Sequence, residues 1–341
     1  MKHKIYVTRK FPQVALDLLA TRSEVGVFPE DGPMPKEELL RAVQDIEGLL
    51  VAGARISPEV LEHAPKLRAL SNASVGHDNL DLAALTARGI PVASTAGSLE
   101  ETTADLAFAL LLAVARRVVE GDRYVREGRW DRWQFELLHG SDVYRKTLGL
   151  YGFGHIGQAM ARRGRGFSMR IFYHARHRVP ETIEKELSAE YVNRERLLSE
   201  SDFLSLHVPL TPETHHLIGA PEFRGMKPSG FLINTARGKV VDEEALVAAL
   251  REKTIAGAGL DVFENEPHVA PALLTLPNVV LMPHVGSATG ETRLRMAMLA
   301  AQNLLDLLEG RRPKNLLNPE VFERRGDSSF DFAQEGEHVE P

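Results

Sequence analysis

A glycine-rich turn at residues 152–157 constrains the fold of this chain more than any other segment. Its sequence, Gly-Phe-Gly-His-Ile-Gly, matches the pattern G-x-G-x-x-G. The apolar segment 148–151 precedes the turn, a helical pattern follows it, and another apolar segment begins at Ile171. The pattern also occurs in ordinary turns, but this strand–turn–helix–strand context is the one that dinucleotide binding requires. The segment therefore predicts a parallel sheet whose glycine turn and helix N-terminus bind dinucleotide phosphates.

Strand-like and helix-like segments alternate along the rest of the chain in two blocks. In residues 1–100 we expect strands at 5–7, 24–28, 48–51, 69–71 and 91–94, and helices at 35–43, 57–63 and 81–88. In the second block we expect strands at 147–151, 171–173, 203–207, 231–234, 257–260 and 279–282, and helices at 157–163, 242–251 and about 291–309. This alternation predicts an α/β fold with parallel sheets covered by helices on both faces.

A long helix is predicted from Glu100 to about Glu120. Its centre, residues 106–115, is apolar nearly all round, so we expect it to be buried between layers or between subunits. The apolar centre is far shorter than the ~20 residues that a membrane span needs. The N-terminus also lacks an apolar run of signal-peptide length, so a cytoplasmic location without membrane partners is expected.

Composition excludes several classes of site. The chain has 0 cysteines, which excludes disulfides, thiolate metal sites, iron–sulfur clusters and a cysteine nucleophile. Its 41 basic and 47 acidic residues give a formal charge of -6, which argues against a nucleic-acid binder. The adjacent His215 and His216 are not expected to bind a metal ion, because neighbouring side chains should point apart and further ligands are missing at usable spacing.

The residues that follow the glycine turn bear on the choice of dinucleotide. A carboxylate ~20 residues beyond such a turn normally bonds the ribose 2′-hydroxyl of NAD. The segment from Gln158 to Pro180 contains neither Asp nor Glu, and it carries Arg176, His177 and Arg178 instead. Since a guanidinium binds a 2′-phosphate that a carboxylate would repel, the sequence favours NADP(H). The alternative is a solvated basic loop with weak selectivity, in which case NAD also binds.

Three polar segments in the second block each follow a predicted strand and carry Arg237, Glu266 and His284. Because the carboxyl ends of parallel strands meet at one edge of a sheet, we expect these side chains to converge. Together they suit the reduction of a 2-keto acid. The arginine would bind the substrate carboxylate, the histidine would supply a proton to the developing alkoxide, and the carboxylate would orient the protonated imidazole.

With these motifs the chain resembles the D-isomer-specific 2-hydroxyacid dehydrogenase family over about residues 1–320. The matching segments are Gly152–Gly157, HVPLTPET at 207–214, NTARG at 234–238, DVFENEP at 261–267 and PHVGS at 283–287. The resemblance implies a catalytic set of Arg237, Glu266 and His284, and it implies that Asp261 contacts the nicotinamide carboxamide.

The motifs and the resemblance together give a set of binding residues. The expected cofactor-binding residues are Gly152, Phe153, Gly154, His155, Ile156, Gly157, Ala175, Arg176, His177, His207, Val208, Pro209, Thr214, Thr235, Ala236, Arg237, Asp261, His284, Val285 and Gly286. The expected substrate-binding residues are Ser74, Val75 and Gly76, whose loop would offer backbone amides to a carboxylate, together with Arg237 and His284.

The resemblance also implies an architecture of two doubly wound Rossmann-like domains with a cleft between them. Residues 1–100 would begin a substrate-binding domain, 101–288 would form the dinucleotide-binding domain, and 289–323 would return to the first domain. Residues 324–341 are expected to be a flexible acidic tail. A homodimer is expected, with the helix at 106–115 in its interface; burial within one subunit is the alternative.

Within the family, the segments 139–147 and 173–178 resemble the glyoxylate/hydroxypyruvate reductases and the 2-ketogluconate reductases. The expected function is therefore NADPH-preferring reduction of small 2-keto acids such as glyoxylate and hydroxypyruvate, with 2-ketogluconate as a further candidate, to D-2-hydroxy acids. One alternative is a dinucleotide-sensing protein of the corepressor type on the same fold. Another is an NAD-linked enzyme such as a phosphoglycerate dehydrogenase.

Overall fold

A computed structural model describes residues 2–324 of the 341-residue chain. The acidic tail predicted at 324–341 begins at the last of these residues, and the rest of it lies outside them. The chain divides into two compact units, residues 2–99 with 289–324, and residues 100–288. Each unit contains one parallel sheet, so the predicted α/β class with two parallel sheets is confirmed.

The strands, in chain order, are β1 (His3–Val7), β2 (Ser23–Val27), β3 (Gly48–Val51), β4 (Ala69–Asn72), β5 (Val92–Ala93), β6 (Thr147–Tyr151), β7 (Arg170–His174), β8 (Ala189–Tyr191), β9 (Phe203–Leu206), β10 (Phe231–Asn234), β11 (Gly257–Leu260) and β12 (Val279–Leu281). The α-helices are α1 (Gln13–Ala20), α2 (Lys36–Ala42), α3 (Pro58–Glu62), α4 (Leu82–Ala87), α5 (Glu100–Ala115), α6 (Val118–Arg126), α7 (His155–Gly166), α8 (Glu181–Leu187), α9 (Arg194–Glu200), α10 (Ala220–Gly225), α11 (Glu243–Arg251), α12 (Gly290–Leu308) and α13 (Glu320–Arg324).

The first unit is built on a five-stranded parallel sheet with the order β2-β1-β3-β4-β5. Its two faces are covered by separate apolar clusters, one of which includes residues of α2, α3 and α4. On the other face α12 packs with α1, because Ala297, Ala300, Ala301 and Leu304 recur at the spacing of one helix face and are buried there. Helix α12 thereby covers one face of the sheet that the N-terminal strands form.

The second unit is built on a seven-stranded parallel sheet with the order β12-β11-β10-β9-β6-β7-β8. Residues of α5 and α7 form an apolar cluster on one face, and residues of α9, α10 and α11 form one on the other. The strand order reverses between β6 and β9, and ligands of doubly wound sheets bind outside the carboxyl ends of the strands at such a reversal. A ligand site is therefore expected at this edge of the sheet.

The predicted helix from Glu100 to about Glu120 is two helices, because the chain turns at Arg117, whose φ of 53° lies in the left-handed region. The carbonyl of Ala115, which a continuing helix would use, accepts a hydrogen bond from Ser141 N at 2.8 Å. The Arg117 guanidinium binds Glu120 at 2.8 and 2.9 Å on the new helix. The break is thus caused by a loop more than twenty residues away, which the local pattern does not reveal.

The apolar centre of α5 is buried within its own unit. Ala107, Phe108, Leu110, Leu111, Val114 and Ala115 are buried, and the helix packs against α7 and the strands β10, β11 and β12. Burial inside the subunit, the alternative to a dimer interface, accounts for these side chains. No helix within residues 2–324 is long and apolar enough to cross a membrane.

Candidate active site

Three adjacent strands bring the residues predicted for catalysis to one edge of the second unit's sheet. The strands β10, β11 and β12 are parallel and in register, with Asn234 opposite Leu260 and Leu260 opposite Leu281. The segments that carry Arg237, Glu266 and His284 follow these strands directly. They leave the sheet side by side because the strands end together.

The turn after β10 is shaped by a buried asparagine and a glycine. The Asn234 side chain donates to the carbonyl of Arg237 at 3.0 Å, and its oxygen accepts from Ala236 N at 3.0 Å. A Cβ at Gly238 would lie 1.9 Å from the carbonyl carbon of Phe263, so only glycine fits where this turn meets the segment after β11. The half-buried Arg237, which donates to the Ala236 carbonyl at 2.8 Å, is therefore held by its own motif.

Glu266 and His284 are directly bonded. The Nδ1 atom of His284 lies 2.7 Å from Oε2 of Glu266, and Oε1 of Glu266 accepts from Phe263 N at 3.0 Å. Burial raises the pKa of Glu266, but the bonds from His284 and Phe263 and the positive charge of Arg237 bring it below its ordinary value. The carboxylate thus stays charged beside the imidazole. Because Nδ1 faces Glu266 and the ring is 49% exposed, Nε2 is the nitrogen that can exchange a proton with a bound molecule.

The loop that carries His284 is fixed by Asp261. The buried Asp261 carboxylate accepts from Val285 N and Gly286 N, both at 2.8 Å, and its backbone carbonyl accepts from His284 N at 2.8 Å. Burial raises the pKa of Asp261, and the two amide bonds offset part of that rise. His284 has a φ of 54° in this loop. Sequence reasoning gave Asp261 a role toward the cofactor and missed this bonding to the histidine loop.

The glycine turn after β6 has the geometry of a phosphate-binding turn. Gly152 has a φ of 92°, and a Cβ there would lie 2.5 Å from the His207 carbonyl oxygen, so glycine is required. A Cβ at Gly154, in contrast, would have no heavy atom within 4 Å beyond its chain neighbours, which leaves room for a ligand at the start of α7. The Thr235 hydroxyl on the neighbouring motif is buried and lacks a partner among residues 2–324. The residues of this edge therefore fit a dinucleotide.

Several predicted cofactor residues use their side chains inside the protein. The Phe153 ring is buried and stacks on Tyr173 with centroids 4.1 Å apart, so only its backbone can face a ligand. Burial lowers the pKa of His207 to about 4, and its ring bonds Ser205 Oγ at 2.9 Å as a neutral imidazole. The Thr214 hydroxyl donates to the Pro209 carbonyl at 2.6 Å and closes its own loop.

The basic stretch after β7 divides into two parts. Arg176, His177 and Arg178 are all exposed after the carboxyl end of the strand. Arg178, although its side chain is 64% exposed, differs from the other two in making a two-pronged ion pair with Glu184 of α8, with bonds of 2.8 and 2.7 Å. Of the three basic residues in this stretch, Arg178 is thus bound to the buried carboxylate of Glu184.

The predicted substrate loop, Ser74–Gly76, follows β4 in the first unit. The carbonyl of Ser74 accepts from Thr95 N at 3.2 Å, and the carbonyl of Gly76 accepts from the Asn72 side chain at 2.9 Å. These bonds fix the shape of the loop from the interior of its own unit.

The expectation that His215 and His216 point apart is wrong. Their ring centroids lie 4.1 Å apart because His216 adopts a left-handed φ of 50°, which turns its ring toward its neighbour. His216 bonds Glu264 at 2.9 Å. A group of three or more side chains able to hold a metal ion is not found in the part of the chain that the structure describes.

The family model of the D-isomer specific 2-hydroxyacid dehydrogenase NAD binding domain matches residues 108–286. That segment contains the glycine turn and all three strand-end motifs described above. The chain belongs to this family. The family indicated by the motifs is confirmed, as is the enzyme class, an NAD(P)-dependent 2-hydroxyacid dehydrogenase.

Relatives of full length support the same assignment. The chain is 50% identical to a glyoxylate reductase of Thermococcus gammatolerans over 94% of this chain and 97% of the relative. It is 51% identical to a glyoxylate reductase of Korarchaeum cryptofilum over 95% and 98% of the two chains. Among solved structures, an NADPH-dependent glyoxylate/hydroxypyruvate reductase from Sinorhizobium meliloti, in complex with NADP and malonate, superposes with a TM-score of 0.83 at 34% identity, covering 93% and 97% of the two chains.

Proposed function

We propose that this dehydrogenase reduces glyoxylate and hydroxypyruvate to the corresponding 2-hydroxy acids, of the D form where the product is chiral, and that it prefers NADPH to NADH. The observation that carries the proposal is the 2.7 Å bond between His284 and Glu266, with the charge of Arg237 acting on the same carboxylate. A guanidinium, an imidazole and a carboxylate are the groups that keto-acid reduction needs. The full-length glyoxylate reductases among the relatives support the choice of substrate.

The proposed roles follow from the chemistry of each group. Arg237 binds the substrate carboxylate through its planar fork. The loop at Ser74, Val75 and Gly76 keeps the role predicted from the sequence, which is to offer backbone amides to a carboxylate. His284 donates a proton from Nε2 to the oxygen that becomes the hydroxyl. Glu266 keeps the ring oriented through its bond to Nδ1. The bound dinucleotide supplies the hydride.

The proposed cofactor site is built mainly from backbone at the edge of the second unit's sheet. The amides at the start of α7, residues 155–157, bind the pyrophosphate at the positive end of the helix dipole. The Thr235 hydroxyl, which is buried without a partner among the described residues, gains one from the cofactor. Arg176 and His177 bind the 2′-phosphate, and this gives the preference for NADPH.

A homodimer remains part of the proposal, with its interface on a surface other than α5. The segment 118–144 exposes a group of large apolar side chains, which comprises Val118, Val119, Val125, Trp130, Trp133, Phe135 and Tyr144. Trp133 and Phe135 are 76% and 78% exposed. Apolar surface of this kind marks an association site, and a second copy is the commonest partner. Replacing Trp133 and Phe135 by serine should convert a dimer into a monomer in light scattering; an unchanged mass would place the interface elsewhere.

The proposal is tested by measuring kcat/KM of the purified protein for NADPH and NADH with glyoxylate, hydroxypyruvate and 2-ketogluconate. We expect turnover with the first two substrates and a preference for NADPH. Tight dinucleotide binding without turnover of any 2-keto acid would favour the dinucleotide sensor. A preference for NADH would contradict the cofactor assignment.

A further inference from the structure

The loop between β7 and α8, residues 175–180, carries the two side chains proposed to bind the 2′-phosphate. Arg176 and His177 are exposed, whereas Val179 is partly buried against the core of the unit. A loop of this kind recognises a phosphate well only if its conformation is already fixed when the ligand arrives, since ordering it during binding would cost affinity. The contacts that fix it therefore bear on cofactor selectivity.

A buried carboxylate holds one end of this loop. The side chain of Glu184 on α8 is only 8% exposed. It accepts bonds from Nε and Nη2 of Arg178 at 2.8 and 2.7 Å and from the Tyr173 hydroxyl at 2.5 Å. The bonds from Arg178 and Tyr173 lower the pKa of Glu184 to about 2, so it is charged throughout the neutral range. The buried carboxylate holds Arg178 and Tyr173 in place, because moving either side chain away would deprive the buried charge of a hydrogen-bond donor.

Tyr173 connects the same carboxylate to the glycine turn. Its hydroxyl donates to Glu184 and accepts from Val179 N at 3.2 Å, so it also holds the loop backbone at Val179. Its fully buried ring stacks on Phe153 of the glycine turn, with the ring planes 19° apart. One network therefore joins α8, the basic loop and the turn proposed to bind the pyrophosphate.

We propose that Glu184 is a positioning residue for cofactor selectivity. By binding Arg178 and Tyr173, Glu184 fixes the conformation of the loop 175–180. Arg176 and His177 are thereby placed to bind the 2′-phosphate. Arg178 stabilises the loop and does not bind the phosphate. This inference rests on the NADPH preference proposed above. It assigns different roles to basic residues that the sequence presents as one group.

The competing reading, in which Arg178 itself binds the phosphate, predicts an effect of opposite sign. In that case Glu184 competes with the phosphate for the guanidinium, and neutralising Glu184 would strengthen binding of the phosphate. If Glu184 instead holds the loop in place, neutralising it weakens binding. The direction of change in one variant thus separates the two.

The experiment compares Glu184→Gln and Tyr173→Phe with the control Glu181→Gln. Glu181 lies on the same helix, but its ion pair with Lys185 is exposed on both sides. Calorimetry with adenosine 2′,5′-bisphosphate and with 5′-AMP measures the contribution of the 2′-phosphate without turnover. We expect Glu184→Gln to weaken the bisphosphate about tenfold, which corresponds to about 1.4 kcal/mol, and to leave 5′-AMP unchanged. Tyr173→Phe should act in the same direction by a smaller factor, and the control should have no effect.

The kcat/KM values should move in parallel, with a loss for NADPH and none for NADH. Tighter bisphosphate binding by Glu184→Gln would overturn the inference in favour of Arg178 as a ligand. Unchanged binding would also overturn it, while the proposed function would stand if the parent protein still preferred NADPH. A parent protein that binds the bisphosphate no better than 5′-AMP would contradict both. Should Glu184→Gln fail to fold, Tyr173→Phe decides the matter, because it keeps the buried ring and its stack on Phe153.

Discussion

The two ends of the second unit's sheet hold their functional groups in different ways. At the ends of β10, β11 and β12 lie the side chains proposed to carry the chemistry, those of Arg237, Glu266 and His284, and buried polar side chains shape the loops that present them. At the ends of β6 and β7, the glycine turn is exposed at Gly154 and His155, and packed aromatic rings lie beneath it. The site after β10, β11 and β12 depends on the chemistry of its side chains. The glycine turn after β6 depends on space for a ligand to approach its backbone. Substitutions after β10, β11 and β12 should therefore change turnover, and substitutions in the glycine turn should change cofactor binding.

A large effect at the catalytic end is expected for Arg237→Ala. At saturating NADPH, loss of the forked bonds to the substrate carboxylate should lower kcat/KM for glyoxylate by about a thousandfold. Arg237→Lys is the control, because it keeps the charge and loses the fork. If lysine restored full activity, charge alone would suffice and the bidentate role would be wrong.

Glu266→Gln should have the next largest effect, with kcat lower by about 10- to 100-fold. Without its negative charge, residue 266 should hold the His284 ring less firmly at Nδ1. Since the pKa of Glu266 lies below its ordinary value, the parent enzyme should keep this contribution at neutral pH and lose it only as the pH falls through that lowered pKa. A kcat–pH profile of the variant that overlays the parent's at every pH would remove Glu266 from the proposed role.

At the cofactor end, Gly154→Ala should weaken NADPH binding by about tenfold with an unchanged melting temperature. The added methyl group meets no heavy atom within 4 Å beyond the chain neighbours, so the free protein should accommodate it, whereas a phosphate approaching the backbone should not. Calorimetric titration and thermal melting measure the two quantities. Equal NADPH affinity in the variant would show that the phosphates lie elsewhere.

Much of the second unit could be predicted because its information is local. Each strand is a short apolar run, and each polar motif follows a strand directly, so the pattern locates the carboxyl-end groups without knowledge of tertiary contacts. Asn234 shows why such motifs are readable, because its side chain bonds Ala236 and Arg237, which are residues of its own turn. The observed strands lie within two residues of the predicted ones, apart from β8, which was not predicted.

The features that sequence reasoning missed depend on partners elsewhere in the chain. Arg178 looks like a further phosphate ligand until Glu184 on the next helix is seen to bind it. Likewise, the end of α5 is set by Ser141, and the conformation of His216 by backbone torsion. Composition and periodicity carry no record of such contacts, because any of these side chains could equally be solvated.

The kcat of His284→Ala shows whether His284 supplies the proton in keto-acid reduction. With glyoxylate and NADPH at a concentration that calorimetry shows to be saturating for the variant, we predict a fall in kcat of about 10²–10⁴ at neutral pH. A variant that binds NADPH and retains near-full kcat would exclude His284 as the donor, since the proton would then come from another group.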